Sequence, residues 1–267
     1  MKVWIICLIL GIFVCIILGI FFSMNQRKKS PENICVWIHI GLLGRWEEIL
    51  KEELDLLKSS GLAKHAKIFY CVVGGSKKKV EPLMDGLNRQ CVGEFGDVRL
   101  HECPTLHHLH NFAKENPNKK VLYIHTKGTS QPKDSNSDEW RRYMLYFLVG
   151  HYQECLHFLD SYSTVGVHLI GGNHYSGNFW WAQTNFLKTL IPLAQKECWS
   201  ANPPGTPNHP RLKAEHWCLS RQKRGSHLSI HQLSPNHQKY KAGMTLYSAS
   251  ALEFDYKKDG VKKVLVV

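Results

Sequence analysis

Several short patterns that mark enzyme classes or cell compartments are missing from this sequence. It contains no Asn-x-Ser/Thr sequon and no Cys-x-x-Cys pair, so neither N-glycosylation nor a paired-cysteine metal or redox motif is indicated. Segment 74–79 is rich in Gly and Lys but lacks the spacing of a phosphate-binding loop, and we interpret it as a solvated basic turn. Segment 101–110 holds four His and one Cys but lacks the His-Glu-x-x-His pattern, which disfavours zinc there.

Acidic residues are also in deficit. Against 22 Asp and Glu stand 34 Lys and Arg, which gives a formal net charge of +12 at pH 7. This balance predicts an anionic partner: a nucleotide diphosphate, a membrane surface or nucleic acid. Of the nine cysteines, Cys7 and Cys15 fall in an apolar segment, and we predict that most of the remaining ones are free, buried thiols.

The amino-terminal segment 3–22 is 20 residues long and carries no charge. About 20 apolar residues are needed to cross a bilayer, so we predict a transmembrane anchor with a short tail at 1–24, a polar linker at 25–33 and one domain at 34–267. The alternative is a cleaved signal peptide, but no small-x-small cleavage site follows. The chain would then be a single-pass protein of the Golgi, the endoplasmic reticulum or another membrane. The positive charges of Arg27, Lys28 and Lys29 after the segment outnumber that of Lys2 before it, which weakly favours a cytosolic domain. A lumenal domain is the alternative.

Strand and helix patterns alternate along the rest of the chain. The predicted strands are 34–40, 67–73, 98–101, a strand starting at 121, and 164–170, and the predicted helices are 45–59, 106–115 and 139–159. Thr105 is predicted to cap the second helix, and Gly61 to end the first. Such alternation favours an α/β fold with a mostly parallel sheet and helices on both faces.

The segment 121–128 is a buried strand pattern that ends in polar residues. Four apolar residues precede His125, Thr126 and Lys127, and Gly128 then turns the chain. In open α/β sheets, ligands bind at the carboxyl edge of the strands. We therefore predict that these three side chains line a site.

Four motifs then occur in a fixed order: the strand ending in His125-Thr126-Lys127, the helix segment 140–142 (Trp-Arg-Arg), the Val165-Gly166 strand, and a Gly-x-Phe-Trp-x-Ala stretch at 177–182. In order and spacing, roughly residues 121–190 resemble the rhamnan-synthesis (rhamnosyltransferase) type of glycosyltransferase, which has a GT-A-like, Rossmann-like fold. The resemblance implies a hexosyltransferase-like enzyme of polysaccharide biosynthesis. It would move a sugar from a nucleotide-sugar donor to a glycan or lipid-linked acceptor.

The resemblance also places the strand at 121 where GT-A enzymes at large carry an Asp-x-Asp metal motif. This chain has His125-Thr126-Lys127 there instead, and a charged Lys is not a ligand for a hard cation. The ammonium of Lys127 beside the Thr126 hydroxyl could neutralise a leaving diphosphate without metal. We predict no cofactor. A divalent cation is possible but not indicated, and Asp134 and Asp138 would be its fallback ligands.

An inverting transfer also needs a base. The resemblance implies an Asp or Glu after the acceptor loop, and Glu215, four residues after Arg211, is our prediction; an ordinary surface ion pair is the alternative for that pair. Asp160, Glu154 and His174 are rival bases. The full set of predicted site residues is His125, Lys127 and Glu215 for catalysis, and Thr126, Arg141, His174, Ser176, Gly177, Asn178, Trp180, Trp181 and Arg211 for substrate binding.

The residues at 176–182 each suit a sugar. Gly177 lets the backbone approach a ligand, Asn178 can hold hydroxyls, and either Trp180 or Trp181 could offer a flat face, while the other is predicted to be core. Two other classes stay open: a non-catalytic nucleotide- or carbohydrate-binding relative, and a nucleic-acid or acidic-membrane binder. No nucleic-acid partner is predicted, because the aromatic residues are not interleaved with Lys and Arg.

Overall fold

A computed structural model describes residues 33–193, 210–221, 226–230 and 265–266. The chain separates into two units, Met1–Pro31 and Glu32–Val267, and every described residue belongs to the second. No helix within these described ranges is long and apolar enough to cross a bilayer. The predicted anchor at 3–22 lies outside them.

One large sheet organises the described part of the chain. Its strands are β1 (Ile34–Gly41), β2 (Ala66–Val73), β3 (Arg89–Phe95), β4 (Lys120–His125), β5 (Thr164–Gly166), β8 (Trp180–Gln183), β9 (His227–Ser229) and β10 (Leu265–Val266). Two further strands, β6 (Leu169–Ile170) and β7 (His174–Tyr175), pair separately as an antiparallel hairpin. The order across the large sheet is β10-β9-β5-β8-β4-β1-β2-β3.

Most pairings in this sheet are parallel. β1 pairs in parallel with β2 and β4, β2 with β3, and β5 with β9, whereas β8 runs antiparallel to both β4 and β5, and β10 antiparallel to β9. The predicted mixed α/β fold with a mostly parallel sheet is confirmed.

Helices cover both faces of the sheet. They are α1 (Trp46–Ser59), α2 (Cys103–Glu115), α3 (Asn136–Leu145), α4 (Tyr152–Phe158), α5 (Thr184–Leu187) and α6 (Pro210–Trp217). Because neighbours on a strand point to opposite faces, Ile38 of β1 packs into one core with Leu50 of α1, and Trp37 packs into the other with Leu106 of α2. Both faces of β1 are therefore buried, which is why its sequence is an unbroken apolar run up to His39.

The third strand is β3, and the strand predicted at 98–101 is wrong. That segment forms a short 3-10 turn, Val98–Leu100. β3 lies at the edge of the described sheet and its side chains are only partly buried. An edge strand needs no apolar run, so its pattern is weak in the sequence.

Three further elements differ from their predictions. The helix predicted at 139–159 is broken by a π-helical turn, Tyr146–Gly150, between α3 and α4. The strand predicted at 164–170 stops at Gly166, because His168 adopts a left-handed φ of 50° before β6. α2 begins at Cys103, so Thr105 lies buried inside its first turn and bonds His39 instead of capping the helix.

Five of the described cysteines are free thiols: Cys35, Cys71, Cys91, Cys155 and Cys218. Most are buried, as predicted, and burial raises the pKa of the Cys35 thiol to about 11, which makes it unreactive at neutral pH. Cys103, at the start of α2, is disulfide-bonded.

Candidate functional site

A cleft of about 330 Å³ lies at the carboxyl edge of the parallel strands. Gly41 ends β1, Val73 ends β2 and His125 ends β4, and all three line this cleft. The turn after β3 adds a second wall with Val98. Since neighbouring parallel strands present their last residues at one edge, the fold itself gathers these groups, as the strand pattern predicts.

Thr126 joins the ends of β1 and β4. Its backbone N–H donates to the carbonyl of His39 over 3.1 Å, and its hydroxyl accepts a hydrogen bond from the Gly41 N–H over 3.0 Å. The residue is 5% exposed. Thr126 therefore fixes the floor of the cleft, and its hydroxyl is partly used by the fold.

Lys127 presents a cation to the cleft. It is only partly exposed, and within the described ranges its ammonium forms no ion pair with a carboxylate. Burial lowers the pKa of this ammonium, while the charges of Glu102 and Glu215 oppose that shift. Its backbone is held by Arg141, whose Nη1 donates to the Lys127 carbonyl over 2.8 Å. A desolvated cation on a fixed backbone suits an anionic ligand.

His125 is a neutral hydrogen-bond donor. Burial, and then the charge of Lys127, lower its pKa to about 3. Its Nε2 lies 3.0 Å from the carbonyl oxygen of Gly177 and 3.2 Å from Oε1 of Glu102. Both neighbours are hydrogen-bond acceptors, so Nε2 carries the proton and donates it to the Gly177 carbonyl, while the neutral ring lies in contact with Glu102 without forming an ion pair.

Asn178 holds the other oxygen of Glu102. Its Nδ2 donates to Glu102 Oε2 over 2.7 Å and to the carbonyl of Ala214, and its Oδ1 accepts from Trp180 Nε1 over 2.9 Å. Asn178 is 2% exposed. Because its amide is fully used inside the protein, this residue positions Glu102 and is not free to hold sugar hydroxyls.

The two tryptophans of β8 are both core, so the predicted exposed stacking face is wrong. Trp180 is 1% exposed and stacks on Tyr123 with ring centroids 5.0 Å apart. Trp181 is 0% exposed and donates through Nε1 to the carbonyl of Leu148 on the opposite face of the sheet. Both faces of β8 are covered by helices, so alternation gives each indole a core to enter.

The residues before β8 support the site without lining it. Ser176 accepts through its carbonyl from Trp140 Nε1 over 3.2 Å. Gly177 has φ of +85°, and a Cβ there would lie 2.7 Å from Trp140 Nε1, so this glycine permits a close approach within the core. The His174 ring packs against His216 of α6 with centroids 4.5 Å apart, and burial lowers the pKa of His174.

Helix α6 contributes one residue of the predicted pair to the cleft. Arg211 lines it. Glu215 is not among the lining residues, although its negative charge acts on His125, Lys127 and His174. The role of Glu215 as base stays a prediction.

Arg141 lies in a buried network behind the site. Its Nη1 donates to Asp138 Oδ1 over 2.6 Å and its Nη2 to Glu52 Oε2 over 2.9 Å, and the Arg141 and Asp138 side chains are both 0% exposed. Asp138 Oδ2 accepts from Arg45 and from the Asp134 N–H. Arg141 is therefore not placed to bind substrate, and Asp138 has no oxygen free for a cation.

No group of three or more His, Cys, Asp or Glu side chains that could hold a metal occurs among the described residues.

Two rival bases lie away from the cleft. Asp160 pairs with Lys120 at the amino end of β4, which is the opposite edge of the sheet, and Glu154, in α4, lies 3.8 Å from His151, which precedes that helix.

The polar residues of the cleft that the sequence did not predict include His39 and Glu102. His39 lies at the end of β1, where it hydrogen-bonds Thr105 over 2.8 Å, and burial lowers its pKa to about 3. Glu102 lies just before α2. The sequence could have indicated His39, because it is a polar residue near the end of a buried strand. Glu102 lies in an irregular segment whose sequence has no periodic pattern.

The family model described as Domain of unknown function (DUF8361) matches residues 39–223, more than half of the chain. No curated protein matches the sequence. A crystal structure described as a "putative nucleotide-diphospho-sugar transferase" from Desulfovibrio desulfuricans G20 is similar over 85% of this chain and 96% of that chain, with 12% sequence identity and a TM-score of 0.41. Similarity at that level carries no argument about activity or ligand.

Proposed function

The chain belongs to the family described as a domain of unknown function, DUF8361, and we propose that it is a membrane-anchored glycosyltransferase. It would move a sugar from a nucleotide-sugar donor to a glycan or lipid-linked acceptor. The observation that carries the proposal is the cleft at the carboxyl edge, where a cation without a carboxylate partner in the described ranges and a hydrogen-bonded carboxylate meet.

Lys127 supports a phosphate-bearing donor. Its partly buried ammonium lies on a wall that Arg211 shares, so two cationic groups face the space in which a diphosphate would lie. In a partly desolvated site, a fixed cation stabilises the charge that develops on a leaving diphosphate. This charge stabilisation is the role that an Asp-x-Asp motif would otherwise assign to a metal ion. We propose that the reaction needs no tightly bound cation.

The membrane part of the proposal rests on the sequence. The uncharged segment 3–22 would anchor the domain by a single span in the Golgi, the endoplasmic reticulum or another membrane. An enzyme held at a membrane meets lipid-linked or nascent glycan acceptors there. The GT-A-like assignment is consistent with the mostly parallel sheet and with helices on both of its faces.

A thermal-shift screen of the full-length chain in detergent tests the proposal. The panel is UDP-glucose, UDP-galactose, UDP-N-acetylglucosamine, GDP-mannose and dTDP-rhamnose, each with and without Mn²⁺. A ligand at about 100 times its dissociation constant stabilises a protein by about 2.7 kcal/mol, which shifts the melting temperature by several degrees. We expect a selective shift from one nucleotide sugar that does not depend on Mn²⁺. If none of the five shifts the protein, the proposal fails.

Turnover separates the enzyme from its alternative. A non-catalytic nucleotide- or carbohydrate-binding relative would show the thermal shift and release no nucleoside diphosphate. The same panel, followed by an assay of released nucleoside diphosphate, therefore distinguishes the two.

A further inference from the structure

Three unusual features converge on Glu102. The residue before it, His101, has φ of 48° and ψ of −140°, a conformation that L-residues rarely adopt. The residue that binds Oε2, Asn178, is also left-handed, with φ of 59°, and is almost fully buried. The residue next to Oε1, His125, is a neutral imidazole whose side chain is 12% exposed.

Backbone strain of this kind costs free energy of order 1–3 kcal/mol per residue and persists where the surrounding structure enforces it. Here it lies on both sides of one carboxylate. The fold thus bears a cost to hold the two oxygens of Glu102 in a fixed direction. A carboxylate needed only to cap α2 would not require a side-chain donor and an imidazole contact from distant parts of the chain.

Glu102 is also chemically distinct within the cleft. Among the described residues that line it, Glu102 is the only carboxylate, and its side chain is 14% exposed. His125 cannot accept a proton at Nε2, because that atom already carries one. Lys127 is a cation, and the lone pair of His39 belongs to an imidazole whose pKa burial lowers to about 3.

We propose that Glu102 is the general base of the transfer reaction, an assignment that rests on the proposed glycosyltransferase function. An oxygen of Glu102 takes the proton of the acceptor hydroxyl as the acceptor oxygen forms a bond to the anomeric carbon. The bond from that carbon to the phosphate oxygen breaks, and its electron pair leaves with the nucleoside diphosphate beside Lys127. The step consumes no oxidant, reductant or metal.

In this arrangement Asn178 and His125 are positioning residues. Asn178 donates a hydrogen bond to Oε2, and the His125 ring lies 3.2 Å from Oε1, so both neighbours fix the direction in which the carboxylate faces. The assignment places the base before α2, whereas the sequence prediction places it at Glu215 in α6. The two assignments give opposite outcomes in a pair of isosteric variants.

The test compares Glu102→Gln, Glu102→Ala and Glu215→Gln in the full-length chain, with release of nucleoside diphosphate from each nucleotide sugar of the panel as the readout. Loss of a positioned base costs a factor of about 10²–10⁴ in rate. We expect that loss in both Glu102 variants, with the wild-type thermal shift from the bound nucleotide sugar retained. Glu115→Gln is the matched control, because Glu115 is exposed at the far end of α2 and should keep the wild-type rate.

Rescue by sodium azide distinguishes a catalytic base from a residue that only supports the fold. Azide is already an anion and attacks the anomeric carbon without giving up a proton, so it bypasses the base. We expect azide to restore diphosphate release by Glu102→Ala to within about tenfold of the wild-type rate with azide, with a glycosyl azide as the product.

Three outcomes would overturn the assignment: a wild-type rate in Glu102→Gln, no recovery with azide in a variant that still binds the nucleotide sugar, or loss of transfer in Glu215→Gln alone. Binding by the wild-type chain without any diphosphate release also overturns it, since no reaction would need a base. By contrast, absence of any thermal shift in the wild-type chain refutes the proposed function itself, so the two failures are distinguishable.

Discussion

Replacement of Arg141 by Met tests whether the buried ion network holds the domain together. The Arg141 guanidinium bonds Asp138, Glu52 and the Lys127 carbonyl over 2.6, 2.9 and 2.8 Å. Methionine keeps much of the apolar stem and removes all of these donors. The substitution would leave the carboxylate of Asp138, which is 0% exposed, without its closest cation.

Breaking a buried pair by removing one partner costs about 3–5 kcal/mol, because the other charge is left desolvated. Asp138 would keep Arg45, whose side chain is 19% exposed, at 2.8 Å. That second cation places the expected loss at the lower end, about 3 kcal/mol. For a domain of this size each kcal/mol lowers the melting temperature by about 2–4 °C, so the expected fall is about 6–12 °C.

The assay is thermal unfolding of the full-length chain followed by tryptophan fluorescence. Arg142→Met is the matched control, because Arg142 bonds the same Glu52 but its side chain is 47% exposed. An exposed pair contributes about 0–1 kcal/mol. Equal falls in melting temperature for Arg141→Met and Arg142→Met would show that the buried network does not stabilise the domain. The same conclusion would follow if adding Asp138→Asn to Arg141→Met restored none of the lost melting temperature.

The remaining predictions concern charge and metal. Glu53 is 0% exposed and its oxygens accept no hydrogen bond among the described residues, and burial raises its pKa well above the ordinary value. A carboxyl group whose pKa is higher in the folded than in the unfolded state contributes its full stabilisation of the fold below the unfolded-state pKa of about 4.3. That contribution is lost as the pH rises through the folded-state pKa. Glu53→Gln should therefore melt higher than the wild type at pH 8 and near the wild-type temperature at pH 4; a lower melting temperature at pH 8 would contradict this. Lys127→Ala should lower diphosphate release and donor affinity by about 10²–10³, while Lys133→Ala, an exposed lysine away from the cleft, should keep both, and equal effects would remove Lys127 from the site. EDTA should leave most of the activity, and a complete loss that Mn²⁺ reverses would refute the metal-free proposal.

The parts of the fold that the sequence predicted well are those whose pattern reflects burial. β1 and β2 are buried on both faces, so their apolar runs mark them almost to the residue. β3 escaped because an edge strand carries no such run. The break after α3 was also not predicted, since the π-helical turn Tyr146–Gly150 continues the apolar run that begins at Tyr143 and has no Pro or internal Gly to mark a break.

The site divides in the same way. His125, Thr126 and Lys127 were predicted because strand ends in a parallel sheet meet at one edge. Glu102 was not, since its importance comes from contacts with residues 23 and 76 positions away in the chain, which no local pattern records. The tryptophans of β8 show the converse: a residue type suited to sugars was used for packing, because helices cover both faces of that strand.

The reversed direction of β8 has a consequence for how members of this family could diverge. Because Trp180 pairs with Tyr123 and Gln183 with Lys120, β8 starts at the cleft edge and leaves at the opposite edge. The loop that carries Asn178 therefore reaches the cleft from the amino-terminal side of a strand. Length changes in segment 171–173, between β6 and β7, would leave the pairings of the large sheet unchanged, whereas length changes after β8 would move α6, which carries Arg211 of the cleft and the Ala214 carbonyl that Asn178 bonds. We therefore expect members of this family to differ in length between β6 and β7 more readily than in the segments that form the cleft.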